Sequence, residues 1–427
     1  MSSCSDNSYR QSIPKNSIAL VSFDANKISG VNNATLLKAF LKIKNVDNCG
    51  IDLTQKIYLF ESPDGNIGIC AKVNSTSKLE EMLQKTGSKP TKFRDAFFTP
   101  VGNSWLAGYS SQSLLLIGPI AIARQEEVKA QMAKYLKQDE EKSILVSPIY
   151  LKLDSLESPI AMVAQAQAFP EQFIAPMMLG APKDANPNDV LISAKMNIKN
   201  GCWEIAGRPF SLNKRINYQI EQSLKVYRPI KGKYIQSMPN TSLFGMFVNV
   251  DGNKFLPILQ NNKQMQVLLT GVNQAIDLDN IIRSVNGDMC IKIPQYTKNC
   301  FNLSMAAQLT HSKWLADVDY WKQSVPQGGK IIDWGKNAYA YTNGNTSFLF
   351  GVTSDLQFFS GNSKEMALNS IKVSAKPIDK YVQNKIKGEK MVMVINMDGV
   401  DNKMLKMFQR LLKPVFGNVH TIIYKLD

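Results

Sequence analysis

The stretch WLAGYSSQSLLLIG, Trp105 to Gly118, is written a second time 243 residues later as FLFGVTSDLQFFSG, Phe348 to Gly361. In that alignment Leu106 meets Leu349, Gly108 meets Gly351, Ser111 meets Ser354 and Gly118 meets Gly361. A chain that repeats a strand, a turn and a strand with the glycines in place is constrained to build one arrangement twice. We therefore expect an α+β protein of two homologous repeats, each a mostly antiparallel sheet with helices packed on one face. The expected division is a tether over 1–12, a first repeat over 13–233 with an extra hairpin and helix, and a second repeat over 234–427.

Length agrees, because 427 residues exceed one ordinary core and suit two of roughly 200 residues each. With 44% apolar and 20% charged residues, both repeats can bury a full core. The net charge of +15 invites an anionic partner, yet the excess is spread along the chain. Nucleic-acid binders concentrate Lys and Arg on one face with aromatics between them, so no nucleic-acid partner is expected. The richest stretch runs from Lys372 to Lys413; within it Lys403, Lys406, Arg410 and Lys413 lie on one helical face opposite Met404, Leu405, Phe408, Leu411 and Leu412, the pattern of a core-packed helix with a solvated side.

Taken in order, Ile18 to Phe23 reads as a buried strand and is echoed by Leu243 to Val250, each behind a proline opener, Pro14 and Pro239. Amphipathic segments follow at Thr35 to Ile43 and Met265 to Val272. Lys56 to Ser62 and Ile67 to Val73 flank Pro63-Asp64-Gly65-Asn66, a strong hairpin turn, and Asp288 to Ile293 with Phe301 to Leu309 supply the second version. Helices are expected over Ser77 onward, Thr310 to Trp321, Arg124 to Gln138, Lys364 to Ser370, Pro159 to Leu179 and Lys214 to Val226. Tyr150 to Leu156 aligns with Val394 to Val400 as a strand pair, and Val190 to Met196 with Thr421 to Tyr424. Arg228 to Lys233 reads as a basic linker.

No apolar run reaches the roughly 20 residues a membrane-spanning helix needs; Leu114 to Ala123 is broken by Gly118 and Pro119. Met1-Ser2-Ser3-Cys4 followed by a short polar tether has the form of the mature end of a bacterial lipoprotein, where a signal peptide is removed before a cysteine that is then acylated, so Cys4 is the expected lipid attachment site. The signal's charged and apolar regions do not precede it in this sequence. Cys49, Cys70, Cys202, Cys290 and Cys300 show no metal or redox spacing; Cys290 and Cys300 flank Pro294 and could face each other across a hairpin.

Nothing in the sequence specifies a reaction. His311 and His420 are isolated, no GxSxG elbow marks a nucleophile, and no GxGxxG or GxxxxGK[ST] cradles phosphate. Asp317, Asp319 and Asp333 have solvation as their ordinary role. No cofactor and no metal are expected. The aromatics are the better lead: Trp314, Trp321, Trp334, Tyr339 and Tyr341 gather in the second repeat beside the turns Gly328-Gly329 and Asn343-Gly344-Asn345, and rigid amphipathic rings suit sugar or protein contact. Core packing competes with that role.

The proline openers, the Cys4 tether, Trp334-Gly335-Lys336-Asn337-Ala338-Tyr339 and Phe350-Gly351-Val352 together resemble an uncharacterised lipoprotein family of Bacteroidetes, a domain of unknown function with tandem α+β repeats, over nearly the whole chain. The resemblance implies an outer-membrane lipoprotein of the cell envelope, on its periplasmic or surface face, and supplies no catalytic residues. The expected function is a noncatalytic binding or scaffolding module for protein or glycan, touching the membrane through its lipid anchor alone. The alternative is an envelope or polysaccharide hydrolase with a site between the repeats.

Overall fold

Short β-branched and aromatic runs bounded by Gly, Asn and Ser turns dominate the chain, and in the computed structural model they become the strands of a mixed α+β protein whose sheet is mostly antiparallel. The structure describes residues 8–24, 49–85, 89–169, 171–262, 266, 276–294, 296–297, 300–344, 346–397, 413 and 417–427. Cys4, the amphipathic segments Thr35 to Ile43 and, Gln266 apart, Met265 to Val272, and the helix expected at Lys403 to Leu412 lie outside the described residues. The chain divides into two units, the first comprising Met1–Pro170, Leu191–Asn197 and Met407–Asn418, the second Glu171–Val190, Ile198–Lys406 and Val419–Asp427.

In the first unit the strands are β1 (Ala19–Phe23), β2 (Ile57–Glu61), β3 (Ile67–Lys72), β4 (Thr91–Phe93), β5 (Ala96–Val101), β6 (Trp105–Tyr109), β7 (Ser113–Gly118), β8 (Ile160–Gln165) and β9 (Leu191–Lys199). They pair antiparallel in the order β9-β8-β1-β2-β3-β7-β6-β5-β4. Helices α1 (Thr76–Gln84), α2 (Gln125–Tyr135) and α3 (Pro148–Asp154) connect them. A 3-10 turn, Ser8–Ser12, lies against β3 and β7, where the Ser12 and Ser113 hydroxyls meet at 2.6 Å and the Cys70 thiol donates to the Tyr9 carbonyl at 3.3 Å. Its Arg10 guanidinium stands among the rings of Tyr9, Tyr58 and Tyr150 at 5.6, 5.5 and 5.9 Å, a cation held by aromatic faces.

The second unit contains α4 (Glu171–Met177), β10 (Cys202–Phe210), α5 (Lys214–Leu224), β11 (Phe244–Asp251), α6 (Gly252–Asn261), α7 (Leu278–Arg283), β12 (Val285–Ile293), the small hairpin β13 (Tyr296–Thr297) and β14 (Cys300–Phe301), and β15 (Ser304–Leu309). After these come α8 (Val318–Ser324), β16 (Gly329–Gly335), β17 (Ala338–Asn343), β18 (Thr346–Val352), β19 (Gln357–Gly361), α9 (Lys364–Asn369), α10 (Lys380–Ile386), β20 (Met391–Asn396) and β21 (Thr421–Leu426). The antiparallel order is β21-β20-β11-β12-β15-β19-β18-β17-β16, with β10 parallel to β21. Strand for strand, this is the order of the first unit.

Register places the matched glycines at the same point of each order: Gly108 faces Leu115 and Gly351 faces Phe359. Each has a local reason to be glycine. A Cβ on Gly108 would stand 2.5 Å from the Phe98 ring, and one on Gly351 would stand 2.5 Å from the Phe359 ring and 2.7 Å from the Asn337 carbonyl. The second pair differs from the sequence alignment. Leu106 faces Ile117 and Leu349 faces Gly361, so Gly361 takes the place of Ile117 and not of Gly118. The β18–β19 turn holds one more residue than β6–β7, and Leu356 within it turns left-handed at φ 62°.

Two element expectations are corrected. Tyr150 to Leu156 is not a strand: Ser147 caps α3 by accepting from the Ile149 amide at 3.3 Å, Pro148 fills the first turn, and Ile149, Tyr150 and Leu153 are buried at helical spacing. Its match to Val394 to Val400 is therefore coincidental, since Val394 lies in β20, whose place in the order is that of β8. Pro159 to Leu179 is not one helix either. The alanine-rich Ile160–Gln165 is a strand between β1 and β9, followed by a 3-10 turn and α4; pairing on both sides outweighs alanine's helix preference. The second-unit segment after β15 opens with a 3-10 turn, Lys313–Asp317, before α8. Cys70, Cys202 and Cys290 are free thiols; the Cys300 side chain lies outside the described residues.

Candidate functional site

The aromatic group singled out in the sequence divides into three buried rings and two partly exposed ones. Trp314 and Trp321 are 1% and 5% exposed; their rings stack at 6.1 Å with 9° between planes, and Trp314 also meets Phe350 and Phe358 at 6.1 and 6.3 Å. Tyr341 is buried beside them. These three serve the core. The Trp314 indole N–H has no hydrogen-bond partner there, a cost that the packed rings offset.

Trp334 and Tyr339 lie at the surface, only partly buried. The turn between β16 and β17 uses Asn337 at φ 52°, a left-handed position that asparagine tolerates. The Trp334 indole N–H donates across that turn to the Tyr339 carbonyl at 2.9 Å, its ring edge meets Phe359 at 6.1 Å, and the Lys364 ammonium stands 5.3 Å over its face. The Tyr339 ring rests on Phe350 at 5.7 Å and carries the Lys322 ammonium at 5.5 Å. Lys322 binds the Asp333 carboxylate at 2.9 and 3.1 Å and Asp319 at 3.4 Å. Its pKa is raised, chiefly by the hydrogen bond to Asp333, while burial first and Asp333 second push the Tyr339 phenol up. Asp319 and Asp333 thus share one lysine rather than forming a free acid pair.

What lies outside these residues is an open strand edge. Among the described residues β16 pairs with β17 alone, and along its seven residues Lys330, Ile332, Asp333 and Gly335 are exposed, Ile332 at 44%. On α8 Tyr320 is 70% exposed. Gly328 enters the strand at φ 84°, and Gly329 is fixed as glycine by Val325 and Pro326, which a Cβ would meet at 2.9 and 3.0 Å. In the first unit the terminal strand of the same order, β4, has three residues with Thr91 and Lys92 exposed. Proteins guard sheet edges by shortening and charging them; β4 is guarded in both ways, and β16 keeps a long edge with an exposed isoleucine at its middle.

The remaining candidates take structural or solvent positions. His311 is exposed, and the exposed His420 shares a hydrogen bond of 2.8 Å with the Thr421 hydroxyl. No group of three or more His, Cys, Asp or Glu that could hold a metal occurs among the described residues.

Sequence reading missed three polar anchors of the second unit. The buried Asp288 carboxylate accepts from the backbone amides of Lys231, Gly232 and Lys233 at 2.9, 2.6 and 2.8 Å and from Asn249 Nδ2 at 2.9 Å; the expected basic linker is in fact docked on it. The buried Lys292 donates to the Ser237 carbonyl and hydroxyl and the Ser370 carbonyl at 3.1, 2.7 and 3.0 Å, and burial pulls its pKa down. Glu204 accepts from the Tyr381 hydroxyl and from Lys385 at 2.8 Å, tying α10 to β10.

A family model described as a domain of unknown function, DUF4836, matches residues 16–427. The chain belongs to that family. No curated protein matches it. Among solved structures, crystal form I of TP0453 is similar at a TM-score of 0.32 and 10% identity, over 52% of this chain and 88% of that one. Crystal form III gives 0.31 and 9%, over 52% and 89%. The DUF4836 assignment spans both units, β16 included.

Proposed function

We propose that this DUF4836 protein is a noncatalytic binding or scaffolding module of the cell envelope, a Bacteroidetes outer-membrane lipoprotein anchored through an acylated Cys4, with protein or glycan as its ligand. The two units are read as copies of one ancestral unit, supported by their common strand order and by glycine at the same close approach in both. The observation that carries the binding role is the open edge of β16 with Ile332, Trp334 and Tyr339 on or beside it. Trp314, Trp321 and Tyr341 hold that surface from beneath. Strand edges supply a ready row of backbone donors and acceptors, and rigid half-exposed rings supply area at little entropic cost.

Amide exchange of the full-length protein, with and without solubilised envelope of its host, tests the reading. It predicts slowed exchange over residues 329–335 and no change in β4; unchanged exchange over 329–335 overturns it. Metabolic fatty-acid labelling tests the anchor: label on the wild type that is absent from Cys4→Ala supports it, and no label on either removes it.

A further inference from the structure

We propose that the ligand of the β16 edge is an extended acidic segment of a partner protein, which adds to the sheet as one more strand beyond β16. The inference rests on the binding-surface reading above and narrows it from protein or glycan to one class. Strand addition draws affinity from main-chain hydrogen bonds and selectivity from alternate side chains, and both are available here.

On the main chain, β16 uses only its β17 side among the described residues. Its side chains alternate between faces as far as Asp333, where a bulge makes Trp334 the extra residue of the strand. One face presents Ile331, buried under α8, and Asp333, already held by Lys322 at 2.9 Å. The other presents Lys330, Ile332 and Trp334, with Lys364 over the indole at 5.3 Å. Lys330, Lys336 and Lys364 are exposed and make no ion pair among the described residues. Asp333, the carboxylate on this strand, is already paired with Lys322, whereas these three lysines are not paired. A neighbouring strand on that face meets a cation, an apolar side chain, and an aromatic ring under a cation, so acidic, apolar, acidic at alternate positions is the complementary pattern.

A second copy of the chain fits less well. Pairing two β16 strands about Ile332 would set Lys330 of one copy beside the Trp334–Lys364 stack of the other, between molecules that each carry +15. Like charges directly opposite in a sheet destabilise it.

The probe is the symmetric peptide acetyl-TETVTET-amide carrying a fluorophore, titrated against the full-length protein by anisotropy. Expected are saturable binding at one site, no binding of the basic counterpart acetyl-TKTVTKT-amide, and a loss of about tenfold in affinity for Lys330→Glu/Lys336→Glu, from two exposed charge pairs. N-methylation at alternate residues separates strand addition from mere charge attraction: methylating one alternate set abolishes binding and methylating the other leaves it intact. Equal binding of both methylated peptides, or of the basic one, overturns the proposal. So does displacement of the probe by envelope glycan fragments, or sedimentation as a dimer that Lys330→Glu abolishes. If the peptide fails while amide exchange over 329–335 still slows with envelope material, only this inference falls; if neither occurs, the binding-surface reading falls with it.

Discussion

Single buried groups carry much of the second unit's specificity. Asp288 and Lys292 lie four residues apart on β12, and neither has an ion-pair partner in its hydrogen-bonding shell; each is satisfied by neutral backbone or side-chain groups. Asp288→Ala leaves three amides without their acceptor and is expected to cost about 3 kcal/mol, read as a shift of the urea midpoint with unchanged slope. Lys292 has a pKa below its ordinary value because burial disfavours the ammonium. In the window between that lowered value and the ordinary lysine range, the unfolded chain binds a proton that the folded one has released, so stability rises with pH. Below the window the difference is constant. Wild type should therefore gain stability relative to Lys292→Met on moving from neutral into alkaline solution; a pH-independent difference would refute the assignment. Neither residue was legible in the sequence, because their partners stand 39–78 positions away along the chain.

At the scale of elements, the hairpins were legible and their neighbours less so. Pro63-Asp64-Gly65-Asn66 and the repeated Gly108 and Gly351 announce themselves locally, since turn chemistry and close approach act over a few residues. Substituting alanine should separate the two kinds of glycine. Gly351→Ala forces a Cβ to within 2.7 Å of a backbone carbonyl and should cost about 3 kcal/mol, whereas Gly65→Ala, at φ 73° with open space around it, should cost about 1 kcal/mol from backbone strain alone. Thermal unfolding of the two variants checks the ranking. The strand β8 and helix α3 were misread because the deciding forces are tertiary: β8 is alanine-rich yet flanked by strands on both sides, and α3 is marked only by its Ser147-Pro148 cap. For the aromatic group, periodicity does not say which rings face inward. Trp314→Ala should destabilise by about 4 kcal/mol, while Ile332→Ala, on the exposed edge, should leave the melting temperature nearly unchanged and weaken ligand capture.

For the molecule as a whole, one strand order is used in both units, and its terminal strand differs between them: β4 is short and charged, β16 long and open. That contrast depends on which strand ends the sheet, a property of the complete order that no local pattern of residues encodes. It is also what links fold to function in this account, for of the two terminal strands β16 alone leaves a long edge exposed. The most direct measurement is site-specific photo-crosslinking in the living host, with the photoreactive residue placed at Ile332 in one strain and at the more exposed Tyr218 on α5 in another. The account predicts a discrete adduct from position 332, lost on Lys330→Glu/Lys336→Glu, and none from position 218. Adducts of equal yield at both positions, or none at 332, would contradict it.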